Sequence, residues 1–218
     1  YVLFLLILSI GLWLTEAIPP FAVGILILVY LVYFLGSPVM DSEATDVSKY
    51  VNTWSSPVIW LLLGGFFLAE SLKKSKLDTS ILRRVLSTIS AKPSMVLLGL
   101  MTLSLLGSMI MSNTATTAMI LATVVPLCRN LGSDEPFSKA ILLGVPTAAA
   151  VGGMGTIIGT PSNAIAVGAL NTAGGDVSFG MWMIYGIVPA VLLTFLTWRF
   201  LLFVFKTDRK KIELSPSV

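Results

Sequence analysis

Histidine is absent from the chain, which excludes imidazole metal sites and histidine-based catalysis. A single cysteine, Cys128, cannot form an internal disulfide and reads as a small buried hydrophobe. Charge is scarce: 11% of the 218 residues are charged against 56% hydrophobic, too few to cover an ordinary soluble surface. Sustained period-two alternation is also missing, so the apolar runs are helices and not barrel strands. No basic start and no small-residue cleavage site frame the opening run, so a signal peptide is not expected. Because the chain begins at Tyr1 inside an apolar run, the expectation is that its beginning has been trimmed or is missing.

What is there is a series of apolar runs of about 17 to 25 residues, each able to cross a hydrocarbon core of roughly 30 Å. The fold class is therefore an all-α integral membrane protein, with the lipid bilayer as its first partner and no nucleic-acid partner. Residues 1–14 end one span, and Pro19-Pro20 forbid a continuous helix into the next, Phe21 to Leu35. Glu16, beside those prolines, reads as an interfacial cap. An acidic loop with Asp41, Glu43 and Asp46 precedes a short apolar helix, Pro57 to Ser71, that holds Gly64-Gly65. Between Lys73 and Lys92, apolar residues recur at helical spacing among six basic ones, the pattern of an amphipathic helix at the membrane interface.

Lys and Arg mark the cytoplasmic side. Twelve of the fourteen lie in 73–92, 129–139 and 206–211, so these segments are expected inside and the loops around Asp41 and Asp176 outside. The stretch 93–128 then starts and ends on the same side. Its second arm, Thr114 to Cys128, is short for a crossing, and a re-entrant hairpin entering from the cytoplasm fits both facts.

Two breaks interrupt the apolar stretches. Met111 to Thr117 is a run of hydroxyl and amide side chains, and Gly152 to Asn163 is rich in glycine, Thr, Ser and Asn. In lipid such breaks persist only where protein or a water-filled cavity satisfies the freed backbone groups. Ser112 or Asn113 can cap a helix starting near Thr114, leaving amides and a positive dipole end for an anion. Gly159 is expected to end one half-helix, leaving carbonyls for a cation, while Thr160-Pro161 has the order that starts another. Half-helix ends of this kind bind substrate and coupling ion in secondary transporters. Neither break contains a carboxylate or histidine able to carry a proton, so neutral oxygens and a sodium ion are expected.

At these residues the sequence resembles the divalent anion/sodium symporters, carriers of dicarboxylates, citrate or, in some branches, sulfate. Ser112-Asn113-Thr114 matches the family's Ser-Asn-Thr signature. Gly159-Thr160-Pro161-Ser162-Asn163-Ala164 is similar to its proline loop, with Ser162 where a second proline is usual. Trp13-Leu14-Thr15-Glu16-Ala17 and Leu63-Gly64-Gly65-Phe66 extend the resemblance over nearly the whole chain. It implies that Ser108, Ser112, Asn113 and the Gly159 carbonyl hold a sodium ion, and that Asn113, Thr114, Thr160 and Pro161 touch the substrate carboxylate. It also implies two inverted repeats, of which the chain carries one, the amino-terminal half. The organisation is then 1–72 scaffold-type transmembrane helices, 73–92 the interfacial helix, 93–131 the re-entrant hairpin, 138–171 a broken transmembrane helix, 180–206 the last transmembrane helix and 207–218 a cytoplasmic tail.

The leading function is sodium-coupled transport of a small divalent anion, with a dicarboxylate foremost, in an inner or plasma membrane. The missing second repeat and a second copy in a homodimer are the implied protein partners. The rival readings are an anion exchanger without sodium coupling and a channel-like or structural subunit whose breaks only pack; saturation of flux separates a carrier from a pore. An intramembrane hydrolase would need a histidine, lysine or acid to activate a serine; the chain has no histidine, and its serines have no convincing lysine or acid partner.

Overall fold

The computed structural model describes residues 2–36, 46–77, 80, 81, 84, 88, 90–132, 135–209, 211 and 212. Asp41, Glu43, Asp134 and, within the interfacial segment 73–92, most of 78–89 lie outside the described residues. The chain forms two compact units, 1–59 and 60–218.

In the first unit, helix α1 spans Val2–Thr15 and α2 spans Pro20–Tyr30. Phe4, near the start of α1, meets Tyr30 at the end of α2, so the two run antiparallel. Proline at the first position of α2 suits its missing N–H. Glu16 caps neither helix with its carboxylate; its backbone turns left-handed (φ 50°) directly after α1, and that turn ends the helix. Helix α2 continues as a π-turn over Leu31–Leu35, closed by the Gly36 amide on the Leu31 carbonyl at 3.0 Å. A one-turn helix α3, Ser48–Val51, follows.

The second unit contains α4 (Pro57–Lys74) from Trp60 onward, α5 (Pro93–Ser108), α6 (Asn113–Leu131), α7 (Pro136–Gly152), α8 (Pro161–Thr172) and α9 (Phe179–Val204). Four of their starts carry proline at the first helical position, Pro57, Pro93, Pro136 and Pro161, and serine side chains serve three starts: Ser56 accepts from the Val58 amide at 3.3 Å, and Ser112 from the Ala115 amide and Ser178 from the Met181 amide, each at 3.2 Å. By length and composition α6, α7 with its short extension to Gly155, and α9 can each cross a membrane. Phe195, Phe200, Phe203, Ile184 and Val188 of α9 point outward, an apolar exterior that suits lipid and not water.

Helix α7 is central, packed by α5, α6 and α9. Val96, Leu97 and Leu100 of α5, Leu127 and Cys128 of α6, Phe137 and Ile141 of α7 and Trp198 and Leu201 of α9 share one core, so the starts of α5 and α7 meet the ends of α6 and α9. Trp198 donates from Nε1 to the Ser94 carbonyl at 2.9 Å. Helices α5 and α7 are thus parallel neighbours, and their lengths of 16 and 17 residues bring both breaks to the same level, roughly 25 Å from the common end. Helix α6 is 19 residues long, extending past Cys128 to Leu131, and its span of about 28 Å no longer makes shortness an argument for re-entry.

The common end collects basic segments and is fastened by the tail. Glu135 accepts from the Thr207 hydroxyl at 2.7 Å and from Arg209 Nε at 3.4 Å, and the buried Ile212 donates its amide to the Ala91 carbonyl at 2.7 Å. The Thr207 hydroxyl, and after it Arg209, holds the Glu135 carboxyl below the usual glutamate range. A depressed folded-state pKa means that this tie is present above the unfolded pKa and is lost as the pH falls through the folded one. Hydrogen exchange at the Ile212 amide, corrected for its intrinsic pH dependence, should therefore rise on acidification, and Glu135→Gln should already show the faster rate at neutral pH.

Candidate functional site

The site begins where α5 ends. The chain leaves the helix through Met109, Ile110 and Met111, with the Met111 amide still bonded to the Gly107 carbonyl at 2.8 Å, and Ser112 caps α6. Asn113 is the first residue of α6 and turns its side chain back: Ser108 Oγ donates to Asn113 Oδ1 at 2.5 Å. Ser108 is fully buried and Asn113 half-buried, while Ser112 and Thr114 are exposed.

The second break corrects one expectation. Gly159 does not end a half-helix; α7 stops at Gly152, a 3-10 turn covers Gly153–Gly155, and Gly159 lies in the turn after it. The physical reason is that Thr156 captures the chain. Its hydroxyl donates to the Met109 carbonyl at 2.5 Å, across to the first break, and accepts from the Gly159 amide at 3.0 Å. Asn163, in the first turn of α8, donates from Nδ2 to the Gly153 and Thr156 carbonyls, both at 2.8 Å. Thr160 occupies the capping position of α8, but its hydroxyl makes no capping hydrogen bond.

Glycine makes the two breaks fit together. A β-carbon on Gly153 would lie 2.5 Å from Asn113 Oδ1, and one on Gly159 would lie 2.5 Å from the Gly153 carbonyl oxygen and 3.0 Å from that of Ser108. Side chains there would fill the space that the oxygens share. Of the residues proposed for sodium, Ser108, Asn113 and Gly159 are thus brought into one buried cluster, together with the Gly153 carbonyl. Ser112 lies beside it with its hydroxyl engaged as the α6 cap. Thr114 and Pro161 are exposed and Thr160 is half-buried, at the amide ends of α6 and α8. The first amides of a helix lack intrahelical partners and carry the positive end of its dipole, so both ends suit an anion.

Thr156, Gly153 and the amide of Asn163 were not assigned roles from sequence. Asn163 was open to discovery, since an amide in the first turn of a proline-started helix can reach back to the preceding loop. Thr156 was not, because its partner lies 47 residues away.

The citrate transporter family model matches residues 10–215 of the chain. The chain belongs to that family. Proteins similar to it include the sodium-dependent dicarboxylate transporters of Staphylococcus saprophyticus, 31% identical over 212 residues, and Staphylococcus aureus, 33% identical over 210. An uncharacterised transporter of Schizosaccharomyces pombe is 34% identical over 206 residues. These alignments cover 92%, 91% and 91% of the chain but 39%, 39% and 23% of the relatives. The chain therefore spans less than half the length of these relatives. The family is described as one of citrate transporters, and the membrane-type exterior of α9 accords with that description.

Proposed function

We propose that the chain supplies half of the binding site of a sodium-coupled carrier for a divalent anion, a dicarboxylate foremost. The observation that carries this reading is the buried meeting of uncharged oxygens from both breaks: Ser108 Oγ, Asn113 Oδ1 and the carbonyls of Ser108 and Gly153 around Gly159. A hard cation takes several oxygens at once, and the absence of a carboxylate or histidine from these segments leaves no group there to trade protons instead. The names of the staphylococcal relatives, sodium-dependent dicarboxylate transporters, support the same ion and substrate class.

In this reading Ser108, Ser112, Asn113 and Gly159 hold sodium, and Asn113, Thr114, Thr160 and Pro161 receive one carboxylate at the two amide ends. The substrate's other carboxylate falls to a second repeat, and the carrier is a homodimer. The basic end faces the cytoplasm of an inner or plasma membrane, with α5 and α6 as a hairpin entering from it.

The test is uptake of labelled succinate, citrate and sulfate by the purified protein in liposomes, assembled with the second repeat. Saturable uptake should follow a sodium gradient. Ser108→Ala and Asn113→Ala should each raise the half-activating sodium concentration roughly tenfold, the factor for one charge-assisted contact. Uptake driven by a proton gradient and indifferent to sodium would sink the reading, and flux that never saturates would favour a pore.

A further inference from the structure

Helix hydroxyls in this chain usually donate to the carbonyl four residues back: Ser104 to Leu100 at 2.9 Å, Thr147 to Leu143 at 2.7 Å and Thr172 to Gly168 at 2.8 Å. Thr116, in the first turn of α6, departs from that habit. The Ser112 carbonyl accepts its amide at 3.0 Å but not its hydroxyl. Its Oγ1 is completely buried and has no hydrogen-bond partner among the described residues. The side chain instead faces α5, where the missing β-carbon of Gly107 would lie 3.0 Å from the Thr116 methyl and 3.6 Å from its hydroxyl. Gly107 gives the threonine room to turn away from its own helix.

The position is informative. Residues three and four apart share a helix face, so Thr116 lies on the face of Asn113 and Ser112, one turn deeper into α6. Gly107, which it touches, immediately precedes Ser108. The hydroxyl is therefore wedged between α5 and α6 next to the Ser108–Asn113 contact, on the side of the basic end. A buried hydroxyl with no partner is costly, and such groups in native structures call for an explanation.

We propose that the Thr116 hydroxyl is a further oxygen of the coupling-cation site and sets its sodium affinity, an inference that rests on the reading of Ser108 and Asn113 given above. Its lone pairs are free, it is shielded from water, and it is a neutral oxygen of the kind a hard cation gathers. Thr116 then explains why a polar side chain is buried here, where an alanine or valine would pack against Gly107 without penalty.

The experiment is thermal unfolding of the purified protein in lipid nanodiscs, titrated with sodium chloride against choline chloride at constant ionic strength. A cation that binds the folded state raises the unfolding temperature with its concentration. Thr116→Val keeps the shape and removes the oxygen; the sodium needed for half of the stabilisation should rise roughly fivefold or more, the factor for one hydrogen-bond-sized contact. Thr116→Ser keeps the oxygen and should stay within about twofold of the parent, inside the scatter of such contacts. Without sodium, Thr116→Val should unfold at the same temperature as the parent or higher, since an unpaired buried hydroxyl has gone. If the valine variant does not fold, Thr116→Ala should show the same sodium shift. A hydroxyl-free variant that follows the parent's sodium curve overturns the proposal, and so does an equal shift in the serine variant, which would assign the effect to the methyl. A parent protein indifferent to sodium would overturn the coupling-ion reading itself.

Discussion

Gly152→Ala should destabilise the second unit by about 3 kcal/mol or more, and Gly152→Val should leave no folded protein. A β-carbon at this position would lie 2.4 Å from the Leu105 carbonyl oxygen and 2.6 Å from the Leu105 α-carbon. Both are backbone atoms of a packed helix, so no rotamer change relieves the clash and α5 must part from α7. That contact lies one turn before the end of α5 and at the last residue of α7, which makes it the fulcrum on which both breaks rest. Gly64, inside α4 with nothing within 4 Å of its missing β-carbon, is the control. There alanine should be neutral or stabilise by about 0.5–1 kcal/mol, because glycine only adds backbone entropy to the unfolded chain. Unfolding temperatures of the detergent-solubilised variants measure both. Equal behaviour of the two alanine variants would mean that α5 and α7 are not in backbone contact at Leu105.

Asn163→Leu should loosen the second break by about 3 kcal/mol while leaving the helical core intact. The Asn163 amide serves the Gly153 and Thr156 carbonyls, and both lose a donor away from water when it is removed. Only Asn163, Ala164 and Val167 of α8 are buried, so little else holds that helix to the turn. Helix α7, with Phe137, Ile141 and Val145 inside, does not depend on the amide. Hydrogen exchange should therefore quicken across 153–172 and stay unchanged over 137–150. Asn163→Asp, which keeps the shape but presents an acceptor to two acceptors, should be at least as damaging as leucine. Protection of 153–172 by the aspartate would show that shape, and not hydrogen donation, is what counts.

Helix starts were legible where the signal is local. Ser112 and the prolines at 93, 136 and 161 satisfy or remove amides within one turn of themselves, so short windows carry the information. The segments of the candidate site were legible for the same reason, since runs of small polar residues inside apolar stretches announce a break. How the second break is built was not. Gly159 reads locally as a helix end, but the Thr156 hydroxyl bonds both the Met109 carbonyl and the Gly159 amide, and one of those partners is remote in sequence. The end of α6 was also placed too early: Arg129 and Asn130 look like a loop by charge, yet they continue the helix to Leu131, where Gly132 at φ 106° stops it. The tail illustrates the same limit, because nothing near Thr207 reveals that its partner is Glu135.

The parallel placement of α5 and α7 has a consequence for how the gene can change. Each helix measures its break from the same end, so each acts as a ruler counted in residues. Adding one residue to either would move its break by about 1.5 Å and swing every later side chain through about 100°. The Ser108–Asn113 pair would leave Gly153 and Gly159, or those glycines would leave the pair. Substitution on the lipid-facing sides can drift freely, but insertions and deletions within 93–108 and 136–152 should be purged unless they come as whole turns in both helices together.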